Sequence, residues 1–357
     1  MRESNFTWSE YRLRFEQKAT DFGHPLARIE GLLLYAEKLY RLGLPVIHDA
    51  RHLSFLTGFR TEYIQRAITR PGNFYRSFKI AKKNGNSRTI TEPLPGLKEI
   101  QYWILENIIK KLPPNKLNNA YLAGRSIVSN AKFHARQPKV LNIDIEKYFD
   151  HIAAAEVTGL MLSLGYNAEV SKLIAQLITL NDGLPQGSPT SPYLSSVITK
   201  KIDVELLEYC QQQGLRYSRY ADDISISGEF DTEQMIGKVR EVLGKNGFTM
   251  NSRKTTLKKQ HQRQMVTGIV VNRKLSIKKS LIKQLRQEVY YILRFGLENH
   301  LLRRKINRRN YLNVLEGKLH YYDAVKKKDA NLSYIRSALK EIKLRESMAR
   351  LRDAFDQ

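Results

Sequence analysis

Tyr220-Ala221-Asp222-Asp223 sits between two short runs of strand-forming residues. Arg216-Tyr217-Ser218-Arg219 leads in, and Ile224-Ser225-Ile226-Ser227 leads out with apolar and polar residues alternating. The pattern predicts strand, tight turn, strand. Two adjacent carboxylates at a hairpin tip repel each other and are costly together unless a cation sits between them. An Asp-Asp pair is also an ordinary solvated turn, so this stretch alone leaves both readings open.

Working outward, the β-rich run Val140-Leu141-Asn142-Ile143 ends at Asp144. If that strand neighbours the hairpin in one sheet, Asp144, Asp222 and Asp223 converge. Divalent ions of the magnesium type take oxygen ligands from a few carboxylates and keep positions for substrate phosphates. Two such ions about 3.5–4 Å apart activate an attacking hydroxyl and stabilise the leaving oxygen of an in-line phosphoryl transfer. No histidine or serine nucleophile is required. Ser188 in Gln186-Gly187-Ser188-Pro189 lacks the Gly-x-Ser-x-Gly frame of a hydrolase elbow.

The bulk composition points to the substrate class. The 357 residues carry a formal net charge of +25, which is self-repulsive unless a polyanion screens it. Nucleic acid is the expected partner, with a merely basic soluble surface as the plainer alternative. The basic residues are spread along the chain instead of being gathered in one amphipathic segment, which argues against a membrane surface. The start, Met1-Arg2-Glu3-Ser4-Asn5, is polar, and Glu37 and Lys38 interrupt the apolar run near Leu32. No signal peptide, no membrane span and a cytoplasmic location are expected. The single Cys210 excludes an internal disulfide and a cysteine-based zinc site.

Three regions surround the acids. Residues 1–70 read as helical, with one stretch ending at Gly43-Leu44-Pro45 and a second covering about His48 to Thr69. Residues 71–275 mix strands and helices. Phe74 to Ile80 and Arg88 to Thr91 predict a basic hairpin about Asn84-Gly85, carrying Lys79, Lys82, Lys83 and Arg88. Asn130 and His134, four apart, share a face if helical. Ala154 to Leu180 reads as helix broken near Gly165, Asp182 to Pro192 as a shaped loop, Leu194 to Tyr209 as helix, and Met265 to Asn272 as a strand. Residues 276–357 are helical and basic, with apolar stripes through Leu281, Leu285, Val289 and Ile292 and through Tyr311, Leu315 and Leu319. This order predicts α+β with subdomains.

Asp144 with Phe149, then Leu184-Pro185-Gln186-Gly187-Ser188-Pro189, then Tyr220-Ala221-Asp222-Asp223, then Gly247, Asn251 and Lys254, resemble the ordered motifs of reverse transcriptases. Asn130-Ala131-x-x-His134 and Val266-Thr267-Gly268 look like the two extra signatures of retron reverse transcriptases. Where retron enzymes often show His-Gly-Phe before Gly-Arg-Ser, this chain has Asn119-Ala120-Tyr121; the catalytic set is untouched by that departure. The resemblance implies a right-hand polymerase fold: a helical N-terminal region over 1–70, fingers and palm over 71–275, and a helical thumb and RNA-binding region over 276–357.

It also implies roles. Asp144, Asp222 and Asp223 match the catalytic acids that bind two Mg2+ ions, with Mn2+ able to substitute. Phe149 matches the aromatic that blocks a ribose 2′-hydroxyl. Gln186 and Gly187 match the loop against template and incoming nucleotide, and Lys254 the lysine that acts as an acid toward pyrophosphate. Arg88 and Lys79 match the fingers hairpin that grips triphosphate. Asn130, His134, Val266, Thr267 and Gly268 would position RNA or primer, an architectural role being the alternative for each signature. Basic clusters, Arg308-Arg309 among them, interleaved with Tyr290, Tyr291, Tyr311, Tyr321 and Tyr322, suit RNA; solvated helix faces are the alternative.

The function so implied is RNA-directed DNA synthesis in a retron. Part of a cognate structured non-coding RNA is copied into branched single-stranded DNA (msDNA) from a guanosine 2′-hydroxyl, with deoxynucleoside triphosphates as substrates. Host RNase H would trim the template, and an effector protein encoded nearby would link the product to antiphage defence. A group II intron-like or abortive-infection-type reverse transcriptase is the nearest alternative, and a non-catalytic RNA-binding scaffold the alternative of another class.

Overall fold

Apolar residues at every third or fourth position set the first helices. The computed structural model describes residues 7–81, 87–307, 310–326 and 329–355. Helix α1 covers Trp8–Asp21 and α2 Leu26–Arg41. Thr7 caps α1 by accepting from the Glu10 amide, and the Glu10 carboxylate accepts from the Thr7 amide. Ala19, Ile29 and Leu33 form a small core with Trp8 and Phe15 against it. The single helix expected over His48–Thr69 is two, α3 (Ala50–Thr57) and α4 (Thr61–Thr69). Gly58, at φ +77°, ends the first in a left-handed conformation that suits glycine.

Strands β1 (Tyr75–Ala81) and β2 (Ser87–Pro93) pair antiparallel, with Lys79 opposite Thr89 and Ile80 opposite Arg88. The expected turn at Asn84-Gly85, with Lys82 and Lys83, lies outside the described residues. Helix α5 (Pro95–Asn107) buries Leu97, Ile100 and Ile104. There follow α6 (Ile127–Phe133), β3 (Lys139–Asp144), and α7 (Ala154–Ser163) and α8 (Ala168–Ile178), separated at Gly165 as the sequence predicts. The helix expected from Leu194 to Tyr209 is α9 (Ser191–Ile198) and α10 (Lys200–Gln212), parted at Thr199. Then come β4 (Arg216–Tyr220), β5 (Asp223–Gly228), α11 (Thr232–Lys245) and β6 (Thr256–Lys259).

The expected strand over Met265–Asn272 is instead a miniature hairpin of β7 (Met265–Val266) and β8 (Ile269–Val270). Thr267 (φ +46°) and Gly268 (φ +83°) form its two-residue turn. Two successive left-handed residues reverse a chain that apolar composition alone would extend. Among the described residues, four helices follow: α12 (Lys279–Phe295), α13 (Leu297–Arg303), α14 (Tyr311–Val325) and α15 (Ala330–Phe355).

The chain forms two compact units. The first comprises Met1–Leu122, Ile145–Glu205 and Lys238–Met250. The second comprises Ala123–Asp144, Leu206–Gly237 and Asn251–Gln357. The second unit holds an antiparallel sheet in the order β4-β5-β3-β6. Central β3 buries Val140, Leu141 and Ile143. Lysine-rich β6 lies at one edge, where charge deters further pairing.

One apolar cluster in this unit runs from Ala131, Val140, Val266 and Ile269 into Leu285, Val289 and Ile292 of α12, Leu315 and Leu319 of α14, and Leu332, Ile335 and Leu339 of α15. Tyr311 and Tyr322, expected to meet RNA, are buried in it, at 7% and 4% exposure. Their spacing along α14 places them on its apolar face. Tyr290 and Tyr291 are exposed. Among the described residues no helix is long and apolar enough to cross a membrane.

Candidate active site

Tyr220 pairs with Asp223, so only Ala221 and Asp222 form the turn joining β4 to β5. Ala221 is held at φ +58°, a conformation that costs an alanine about 1–2 kcal/mol. The fully buried Arg219 donates from its guanidinium to the Ala221 carbonyl at 2.8 Å. An arginine in an alternating strand reads as a solvent-facing residue, so nothing in the sequence singles it out.

Strand β3 lies beside β5 with Asp144 opposite Asp223. This is the strand neighbourhood that the three acids need. On the other side of β3, the turn before β6 carries Lys254. The Asn251 amide donates to the Asp144 carbonyl at 2.8 Å, and the Lys254 amide to the Asn251 carbonyl at 3.1 Å. The Lys254 ammonium reaches both Asp144 carboxylate oxygens, at 2.7 and 2.9 Å. That hydrogen bond raises the Lys254 pKa, and the charges of Asp144, Asp222 and Asp223 add to the effect. The ammonium therefore stays charged.

Asp223 has its pKa raised to about 6, first by lost hydration, then by the negative charges of Asp222 and Asp144, with Lys254 pulling the other way. As placed, no group of three His, Cys, Asp or Glu among the described residues is arranged to hold a metal ion. Lys254 is the cation facing the acids. The donor set itself suits a hard divalent cation: it is all carboxylate oxygen, on adjacent strands and the β4–β5 turn, and crowded enough that Asp223 resists ionisation.

The alternating Ile224-Ser225-Ile226-Ser227 is buried on both faces of β5, serines included. His134, the C-cap residue of α6, explains part of this. Its Nδ1 bonds Ser227 Oγ and its Nε2 bonds Ser218 Oγ, each at 2.7 Å, so one ring clamps β4 to β5. Burial, aided by the charge of Arg216, pushes the His134 pKa down to about 3 and keeps the ring neutral. Ser225 donates to Asn142 Oδ1 at 2.9 Å, tying β5 to β3. Asn130, within α6, is also buried. The Thr267 hydroxyl donates to the Ile127 carbonyl at 3.0 Å, fastening the β7–β8 turn to the start of α6. Val266 is buried and Gly268 exposed.

The other candidates for contacting the nucleotide lie in the first unit. Arg88 Nε donates to Gln186 Oε1 at 2.7 Å. The Gly187 amide donates to the Thr91 carbonyl at 2.9 Å. A Cβ on Gly187 would stand 2.6 Å from that oxygen, so the close approach this glycine permits is to β2. Lys79 is exposed on β1. Half-buried Phe149 accepts from the Leu184 amide through its carbonyl, at 3.0 Å. Arg308 and Arg309 lie outside the described residues.

Residues 80–271 match the reverse transcriptase (RNA-dependent DNA polymerase) family, whose members use divalent metal ions. The Ec86 retron reverse transcriptase of Escherichia coli is 32% identical, over 71% of this chain and 81% of its own. The Mx162 and Mx65 retron reverse transcriptases of Myxococcus xanthus are 30% and 29% identical, over 60% and 72% of this chain and 52% and 66% of theirs. Among solved structures, a telomerase from Candida albicans aligns over 76% of this chain and 63% of its own, with a TM-score of 0.41 and 11% identity, a likeness too remote to bear on the site. The chain belongs to the retron-type reverse transcriptases, RNA-directed DNA polymerases of right-hand fold that take an RNA template and deoxynucleoside triphosphates.

Proposed function

We propose that Asp144, Asp222 and Asp223 hold two Mg2+ ions, replaceable by Mn2+, and that the site extends DNA from a guanosine 2′-hydroxyl of a cognate structured RNA. The observation that carries this reading is the rung pairing Asp144 with Asp223, with Lys254 bonded to Asp144. Bound divalent ions supply activation of the attacking hydroxyl and charge neutralisation at the triphosphate. Lys254, kept charged by its acidic surroundings, donates a proton to the departing pyrophosphate. Phe149 lies under the sugar and leaves no room for a ribose 2′-hydroxyl. Arg88 and Lys79 grip the triphosphate, and Gln186 and Gly187 line the path of template and nucleotide.

Asn130, His134, Val266, Thr267 and Gly268 act as positioning residues near RNA and primer. The clamp of His134 on Ser218 and Ser227 supports such a role, exerted through the strands that carry the acids. Residues 1–70 form a helical extension, 71–275 fingers and palm, and 276–357 a thumb that contacts RNA, Arg308 and Arg309 included. The product is branched msDNA, trimmed by host RNase H in the cytoplasm, and it restrains a separately encoded effector in antiphage defence.

The test is to express the protein with its neighbouring DNA locus and isolate nucleic acid. A 2′–5′ branched product sensitive to both RNase and DNase is expected, and it should vanish in the Asp222→Asn/Asp223→Asn variant. A branched product that persists in the double variant would overturn the assignment of the acids.

A further inference from the structure

Helices α12 and α13 enclose a cleft of about 400 Å3, within the range of about 300–1,000 Å3 typical of small-molecule sites. Gln284, Gln287, Tyr291 and Phe295 line it from one face of α12, and His300, Arg303 and Arg304 line it from the α13 side. Gly296, at φ +84°, turns the chain between the two helices.

Three features of the lining point to a ligand. Tyr291 and Phe295 stack with ring centroids 6.0 Å apart and planes at 25°, yet are 40% and 45% exposed. They form an aromatic wall facing water. Arg303 and Arg304 bring two guanidinium groups. Glu288, the acid in the lining, is already engaged: it accepts from the Tyr311 hydroxyl at 3.2 Å and the Lys318 ammonium at 3.1 Å. His300 is only 6% exposed, and its Nε2 has no hydrogen-bond partner among the described residues. Burial lowers its pKa, so the neutral ring offers Nε2 as donor or acceptor according to tautomer. Buried polar atoms without partners are uncommon, because each loses its hydration for nothing.

We propose that this cleft binds one unpaired nucleotide. The base stacks on Tyr291 and Phe295, its edge meets the amides of Gln284 and Gln287, and a phosphate lies on Arg303 and Arg304. Side-chain amides both donate and accept, which a base edge requires. A duplex hides its base faces, whereas unpaired bases are held by such aromatic and guanidinium surfaces. The inference rests on the reading that the basic C-terminal helices contact RNA. The nucleotide belongs either to an RNA strand or to a free nucleoside phosphate, and the test separates the two.

The full chain is titrated with a hexaribonucleotide containing 4-thiouridine, photocrosslinked, and mapped by peptide mass spectrometry. AMP, GMP, CMP and UMP are tested as competitors. Crosslinks are expected between residues 284 and 304. Tyr291→Leu should weaken oligonucleotide binding about tenfold or more, while its melting temperature stays within about 2 °C of the parent's. Competition by a mononucleotide assigns a free nucleotide to the cleft; lack of competition assigns a strand nucleotide. Two results would each overturn the proposal: no crosslink in this segment, or unchanged affinity in Tyr291→Leu. Asp222→Asn should abolish polymerisation and retain oligonucleotide binding, so a failure of the catalytic reading is told apart from a failure of the cleft.

Discussion

Asp144 and Asp223 occupy one rung of the ladder between β3 and β5, so their carboxylates repel, and Lys254 on Asp144 offsets part of that repulsion. Asp223→Asn removes that repulsion and keeps the shape. Without divalent ions, near neutral pH, the variant should melt about 1–3 °C above the parent, a small rise because Lys254 already offsets part of the repulsion. Its polymerisation should fall by about three orders of magnitude or more. Calorimetry and single-nucleotide extension measure the two effects. A variant that melts lower than the parent would refute the repulsion.

The same group sets a pH dependence. The Asp223 pKa is raised from 3.8 to about 6 in the folded chain. Its contribution to stability is therefore fully present below 3.8 and is lost as pH rises through about 6. Divalent ions need the ionised carboxylate, so protons compete with them below about pH 6. Isothermal titration with Mg2+ or Mn2+ between pH 5 and 8 should show affinity falling up to about tenfold per pH unit below 6, and levelling above it. Flat affinity across the range would count against the assignment of Asp223.

His134 gives a dependence of the opposite sign. Its pKa drops from 6.5 to about 3 on folding. The stability it contributes is present above 6.5 and is lost as pH falls from there toward 3. His134→Ala leaves the buried hydroxyls of Ser218 and Ser227 without the ring and opens a cavity, a loss of about 2–4 kcal/mol at pH 7.5. Urea unfolding at pH 7.5 and pH 5 checks both statements. The difference between parent and variant should shrink at the lower pH.

Gly187→Ala tests the loop. Its methyl group would press on the Thr91 carbonyl and Glu92, costing about 1–3 kcal/mol or displacing the loop. The KM for deoxynucleoside triphosphates should rise several-fold. Arg88→Ala should raise the same KM, and the double-mutant cycle of Arg88 with Gln186 should show coupling of about 1 kcal/mol. Strict additivity would mean that the two side chains act apart.

Much of the site is legible in the sequence because its pieces are local. A two-residue turn between β-rich runs announces itself, and so does a strand ending in an acid. The one thing needed beyond that, β3 lying beside β5, is a long-range pairing that periodicity cannot supply. The errors have physical causes too. Strand β6 (Thr256-Leu257-Lys258-Lys259) has the composition of a loop and is a strand only because β3 offers it an edge. Arg219 and the serines of β5 look solvent-facing, because alternation cannot reveal that a strand is buried on both sides. Tyr311 reads both as part of an apolar stripe and as an RNA platform, and Tyr322 as a platform, because ring chemistry reads the same in a core as on a surface.

The apolar cluster that joins Ala131, Val140 and the β7–β8 hairpin to the last helices limits how this enzyme can be rebuilt. A chimera cut at residue 275, exchanging only the C-terminal helices with a relative, would set two unrelated half-cores against each other. Exchanging α12 to α15 with a relative's therefore calls for a transplant that carries α6 and the β7–β8 hairpin along with them. The last helices and the strand that ends at Asp144 share one core and are inherited together.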